Sequence, residues 1–399
     1  MNEFEYDREQ RAAQTASRGG LPTGSGLPSG GVESSAPVAG IVKPLPPEWF
    51  VPHETNAEMR WDTLRESCTG FHVPTERFFV RNHTSTPVID PDTWRLTVTG
   101  DGLRGPAVRF GLAELRRLPV TSFSSAVECA GNGRSFFATQ QGHGVPGTPW
   151  ALGGIGVASW RGVRLAEVLR VAGLRPEAVD VMPVGLDPDY VTSDGRNLGH
   201  VRRPLPIGKA LDDVLLAYEM NGEPLTPDHG APVRLVVPGW VGIAWIKWVG
   251  TIEVAAEPLH SPWNTEFYRM FGPDYPREGG APLAGQVVKS AFELARGAEL
   301  AVGECHRLHG RSWSGAATIR QVEVSTDGGR GWQPARLLDR PDAGTWTRWS
   351  FDWRPAYPGP YTLLARAGDQ EGNTQPRRSP NNREGYLFDA VVLHPVIVV

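Results

Sequence analysis

The chain has 399 residues, enough for two or three domains, and 21 % of them are charged with a formal net charge of −4. That near-neutral balance gives neither nucleic acid nor an anionic membrane a basic footprint, so an anionic ligand must be held by a local cluster of positive charge. Three cysteines (Cys68, Cys129, Cys305) exclude a disulfide scaffold, and without a CxxC pair there is no paired zinc or redox motif.

The first 20 residues are charged and polar, with no apolar run of the roughly 7–15 residues an export leader needs, so a cytoplasmic location is expected. Residues 17–40 (SRGGLPTGSGLPSGGVESSAPVAG) are rich in Gly, Ser and Pro, and 1–44 reads as a flexible lead-in. From 45 to 270 short strands alternate with helical pieces. Trp94–Thr99 (WRLTVT) alternates like a half-buried strand, and Ser124–Cys129 and Val233–Val237 read as buried strands. Gly111–Leu118 and Arg164–Leu174 carry apolar residues at helical spacing. The longest apolar stretch, Val233–Ala256, is interrupted by Arg234, Pro238 and Lys247, which predicts two strands about a PGWVG turn and not a membrane span. This region is predicted to be a mixed α+β domain.

Residues 271–399 change pattern. VVKSAFEL, ELAVGECHRLHGRSW, ATIRQVEVSTDGG, GWQPARLL, TWTRWSFDW and YTLLARAGD are short, rich in β-branched and aromatic residues, and separated by turns. Asp327-Gly328-Gly329 is a hairpin signal. Six or seven such strands predict an immunoglobulin-like β-sandwich without the paired cysteines of antibody domains. No Rossmann glycine fingerprint, phosphate loop or HExxH occurs anywhere in the chain.

Three segments could carry chemistry. Cys129, in SSAVECAGNGRSFF, ends a buried apolar strand and precedes a Gly/Asn turn. Such a thiol can be an inert core group or a soft ligand for a metal–dithiolene centre, and Arg134 supplies charge that favours the thiolate. FFVRNHTSTP (78–87) places Arg81, Asn82 and His83 after an aromatic pair, directly after what reads as a buried strand; it reads as a surface loop or as a ligand grip. PDHGAPVRLVVPG (227–239) sets His229 and Arg234 before a core strand, where they serve structure or hold a phosphate.

FFVRNH, then VECAGNGRS with its cysteine 48 residues after Arg81, then LLAYEMNGEPLTPDHGAPVRLVVPGWVGIAWIKWVGTIEV, and finally WSGAATIRQVEVSTDGGRGWQPARL resemble, in that order, the sulfite oxidase family of molybdenum enzymes. The resemblance spans about residues 45–399 and implies a molybdopterin-binding domain followed by an immunoglobulin-like dimerisation domain, hence a homodimer. It makes Cys129 the molybdenum ligand. It assigns cofactor contacts to Phe79, Val80, Arg81, Asn82, His83, Asp187, His229, Arg234, Trp245, Ile246 and Lys247, and a substrate pocket to Arg81, Arg134, Trp150 and Tyr268. Sulfite is the implied substrate, gripped by paired arginines.

The sequence departs from that pattern in two places. Where vertebrate and plant members carry a further arginine in a late loop, SPNNREGYLF has Glu384 with Arg383 beside it, and the family's Arg-Arg after CAGN is Gly133-Arg134. Neither a haem-binding HPGG nor a CxxCH occurs, so no haem is expected and electrons are expected to leave for a separate cytochrome or dioxygen. Two other readings stay open: the same cofactor reducing nitrate or a sulfoxide, and a non-catalytic binding protein.

Overall fold

Strand Val120–Glu128 starts half-exposed and ends with Ala126, Val127 and Glu128 buried, so its last residues are driven into the interior. The computed structural model describes residues 40–65, 70–340 and 342–399; Cys68 and most of the segment expected to be flexible lie outside them. Val120–Glu128 pairs antiparallel with Ile155–Arg164, which pairs with Leu215–Met220. The far edge of Leu215–Met220 is taken by Arg234–Val236 and by Glu223–Pro224. A second five-stranded sheet runs Val108–Phe110, Leu96–Thr99, Val249–Ala255, Asp180–Gly185, Leu205–Pro206, with Leu96–Thr99 and Val249–Ala255 parallel. The apolar stretch after Val233 therefore divides between the two sheets, as the PGWVG interruption predicts.

Both sheets close over one core in which Val127, Val157 and Leu216 of the first join Val98, Val181 and Ile252 of the second. The amphipathic helix Leu165–Ala172 buries Leu165, Val168, Leu169 and Ala172 and stops at Gly173, whose φ of 86° a side chain would resist. Sheet dominates: the helix expected over 111–118 is the single turn Leu112–Leu115. The apolar pair before Arg81 is not a strand either; Val80 makes only an isolated bridge to Ala57, in the hairpin Phe50–His53/Asn56–Met59.

The C-terminal strands form two sheets with a core between them. One has the order Lys289–Phe292, His306–Trp313, Trp346–Trp353, Arg336–Leu337; the other Ala298–Leu300, His394–Val398, Gly359–Asp369, Ile319–Ser325, Gln333–Pro334. Phe292, Leu308 and Trp349 from the first face Val322, Val324, Leu363 and Val396 from the second. The hairpin signalled by Asp327-Gly328-Gly329 joins Ile319–Ser325 to Gln333–Pro334. GWQPARLL is two short strands rather than one, because the chain passes at Ala335 from one sheet to the other.

Trp313 and Trp346 leave this sandwich core and join the core of the first two sheets, where both pack on Trp61 at 5.6 and 6.1 Å. Beside them lies a buried ion pair. Lys289 Nζ donates to Glu128 Oε1 (2.8 Å) and to the Asn132 carbonyl (2.8 Å), while Trp313 Nε1 donates to Glu128 Oε2 (3.0 Å). Asn132 Nδ2 donates to the same Oε1 (2.9 Å). Strands of the C-terminal sandwich thus clamp the residue before Cys129 and the turn after it.

Two expected outcomes follow from this packing. Lys289→Met leaves a buried, unpaired carboxylate and should cost about 3–5 kcal/mol in denaturant unfolding, whereas adding Glu128→Leu should recover part of it. His394, packed 5.3 Å from Phe292, has its pKa lowered by burial from 6.5 to about 4. As the pH falls the unfolded chain takes that proton first, so the contribution is whole above pH 6.5 and is lost towards pH 4, about 3 kcal/mol in all. His394→Phe should flatten that part of the stability–pH curve.

Candidate active site

Glu128 ends its strand and the backbone turns at once: Asn132 N donates to the Cys129 carbonyl (2.9 Å) and Cys129 N to Gly154 O (2.8 Å). This holds the Cys129 side chain above the sheet end, with the amide of Gly131 3.4 Å from Sγ. The turn requires glycine at 133, where φ is 92° against the Phe388 ring, and a Cβ on Gly131 would push the Arg134 guanidinium aside. Cys129 lies where two cavities meet, sharing Arg81, Asn82, His83, Cys129 and Tyr268 as common walls.

The inner cavity is cationic. Arg234 is buried against the rings of Trp160 and Trp245, donates only to carbonyls, and has its pKa lowered by burial to about 9. Lys247 Nζ donates to the Asp228 carbonyl (2.8 Å) and to Asn82 Oδ1, and burial followed by the Arg234 charge holds its pKa well below the usual lysine value. His229 is kept neutral by burial, then by Lys43, Lys247 and Arg234. Burial raises the Asp187 carboxyl. Two polar atoms here, His229 Nε2 and Asp187 Oδ1, are buried without a hydrogen-bond partner. Buried polar atoms seek partners, and buried cations seek anions. A polyanionic, hydrogen-bonding ligand supplies both, so the residues fit a pterin phosphate.

Phe79, Trp245 and Ile246 complete the expected lining, and Asp187, His229, Arg234 and Lys247 all face the same space. Val80 and Trp150 do not. Val80 sits in a small core with Phe50 and Ala57, and Trp150 is fully buried behind Phe79, so Trp150 does not line the substrate side. Sequence reasoning missed Asp228. Its carboxylate is occupied by Val42 N, Lys43 N and Thr86 Oγ1, which ties residues 42–43 to the His229 loop. Its place beside His229 was the available signal.

At the junction, Arg81 Nη2 lies 3.1 Å from His83 Nε2 and 3.4 Å from the Tyr268 hydroxyl. Trp263 Nε1, which can only donate, is 3.3 Å from the same His83 nitrogen. His83 Nε2 is therefore the acceptor, consistent with a pKa driven well below 6.5 by burial and then by Arg81 and Lys247. The Tyr268 hydroxyl, 3.1 Å away, donates to it. Burial raises the Tyr268 pKa, its ring stacks on Tyr386 at 5.1 Å, and its backbone is held at φ 54°.

The outer cavity adds Arg134, whose Nη1 donates to Thr148 O (3.0 Å) and Nε to Glu384 O (3.1 Å). The late loop reaches the site because Leu387 N donates to Ala130 O (2.8 Å). In that loop Glu384 and Tyr386 line the cavity, whereas Arg383 lies 6.0 Å from the Phe271 ring in a separate cleft. Tyr386 was not among the expected site residues, since nothing in the sequence brings residue 386 to residue 268.

Comparison with known proteins agrees with this geometry. Residues 83–263 match the oxidoreductase molybdopterin-binding domain, and residues 294–391 match the Mo-co oxidoreductase dimerisation domain. The chain is 36 % identical over 338 residues to mitochondrial sulfite oxidase of Homo sapiens, covering 80 % of this chain and 60 % of that protein. It is 37 % identical over 340 residues to sulfite oxidase of Gallus gallus, covering 80 % and 71 %. The sulfane dehydrogenase SoxCD of Paracoccus pantotrophus has a similar structure, with a TM-score of 0.71, 25 % identity and 92 % of each chain covered. The chain thus spans about 60 % of the length of its mammalian relatives. No helix among the described residues is long and apolar enough to cross a membrane. With a single cysteine set between a cationic cavity and an arginine-lined one, and with these matches along its length, the chain belongs to the sulfite oxidase family of molybdenum oxidoreductases.

Proposed function

We propose that this protein oxidises sulfite to sulfate with a molybdenum–molybdopterin cofactor, passing electrons to a separate acceptor such as a cytochrome or dioxygen. The observation that carries the reading is Cys129 at the meeting point of the two cavities, one suited to a polyanionic cofactor and the other to a small oxyanion. Cys129 would hold the metal; Asp187, His229 and Arg234 would hold the pterin and its phosphate, with Arg81, Asn82 and His83 contacting the cofactor and Trp245, Ile246 and Lys247 closing over it. Bound there, the group supplies oxygen-atom transfer and two-electron storage.

The chain's own groups do the rest. Arg81 and Arg134 neutralise and orient the oxyanion as it loses water. Neutral His83 accepts a hydrogen bond from the Tyr268 hydroxyl, which leaves the hydroxyl oxygen to accept from Arg81. Trp150 supports the site from behind through Phe79.

We assign residues 45–270 to cofactor binding and 271–399 to an immunoglobulin-like dimerisation domain that lends its late loop to the outer cavity. The two-sheet sandwich supports that type. The name of the matched C-terminal family supports a homodimer.

Purified holoprotein should carry about one molybdenum per chain and reduce ferricyanide only when sulfite is added, and Cys129→Ser should abolish sulfite-dependent turnover. Metal-free, stable protein with no sulfite-dependent reduction refutes the reading. Arg81→Gln should lower kcat/KM for sulfite about 10- to 100-fold, mostly through KM, in steady-state assays with ferricyanide.

A further inference from the structure

Residues 40–45 join two segments that line the inner cavity. Val42 N donates to Asp228 Oδ1 (3.1 Å) and Lys43 N to Asp228 Oδ2 (2.7 Å), in the loop that brings His229 and Arg234 to the cavity. The segment bearing Phe79, Arg81 and His83 is held as well. Lys43 Nζ donates to the carbonyls of Glu76 (3.3 Å) and Phe78, and Thr86 N donates to Gly40 O (2.8 Å). Thr86 Oγ1 completes the link, donating to Asp228 Oδ1 (2.6 Å) while accepting from Asn82 Nδ2 (2.9 Å). Gly40 has φ 84°, and a Cβ there would meet the Ser85 backbone at 3.0 Å, so this close approach requires glycine. Ile41 and Leu45 anchor the stretch, buried with Phe50, Ala57 and Val80 in a small apolar cluster.

The Asp228 carboxylate connects that stretch to the ligand. Asp228 is buried and lines the inner cavity; its carbonyl accepts from Lys247 Nζ (2.8 Å) and its charge acts on Lys247. With Val42 and Lys43 in place, backbone amides stabilise that charge through charge-assisted hydrogen bonds. Removing them would leave a buried anion short of donors, competing for the cations around it. An anionic pterin phosphate needs those same cations. It therefore binds the closed arrangement more tightly than the open one, and by linkage its binding holds residues 40–45 closed. We propose that residues 40–45 are a clasp, fastened through Asp228, that controls retention of the anionic cofactor. This rests on the cofactor reading above.

Hydrogen–deuterium exchange of the Val42 and Lys43 amides tests the coupling, on the full chain produced in hosts with and without molybdopterin synthesis. Exchange should be about tenfold slower in the holoprotein, or slower still. Ile41→Ser weakens the anchor and should shorten the half-life of bound pterin, followed by fluorescence on release, about tenfold. Adding Asp228→Asn should restore most of that half-life, because the freed side chain is then uncharged. Loss of a merely structural contact would show no such recovery. Equal exchange in the two forms, a half-life unchanged by I41S, or no recovery in the double variant overturns the proposal. Protein from the competent host that holds neither molybdenum nor pterin refutes the cofactor reading, and the clasp with it.

Discussion

Concentrated positive charge in the protein interior is the constraint around which this structure is arranged. Buried Arg234 and half-buried Arg81 and Lys247 line one inner cavity, and each ion taken out of water there costs several kcal/mol of hydration. The fold recovers part of that cost with carbonyl acceptors and ring faces: the carbonyls of His229 and Trp245 and the rings of Trp160 and Trp245 for Arg234, and the carbonyl of Asp228 for Lys247. Of the two aspartates lining the cavity, Asp228 has its carboxylate spent on backbone amides and Thr86. What remains is a site that gains from an anion and keeps His83 and His229 neutral, so both imidazoles can accept hydrogen bonds.

Holding that site draws on contacts from the C-terminal strands as well. The turn bearing Cys129 is shaped locally by its glycines, but its position is set by Lys289 and Trp313, which reach Glu128 and Asn132 from strands more than 150 residues later. The late loop adds Tyr386 against Tyr268 and Glu384 at the cavity wall. The C-terminal sandwich is therefore part of the active-site framework, and a change in its packing on Trp61 would be transmitted to the residue beside the sulfur.

Much of this was legible in the chain itself. Strands at Trp94–Thr99 and Ser124–Cys129, the helix after Arg164 and the Asp-Gly-Gly hairpin all follow from local periodicity or turn chemistry, which depend only on near neighbours. The departures do not. The single-turn helix at Leu112–Leu115 shows sheet packing overriding helical spacing, and the split of GWQPARLL reflects a change of sheet that a linear pattern does not encode. Trp150 carried no mark separating a cavity wall from a support behind one; its burial behind Phe79 is a property of the assembled fold.

By itself the sequence determined the strand-rich C-terminal sandwich, the family and, through the family resemblance, most residues of the inner cavity, because these reside in contiguous motifs. Only the tertiary structure decided that Glu384 and not Arg383 lines the outer cavity, that Tyr268 donates to His83, and that Asp228 is spent on the residue 42–43 backbone. Those facts depend on side-chain direction and on contacts between segments tens to hundreds of residues apart, which spacing along a chain does not specify.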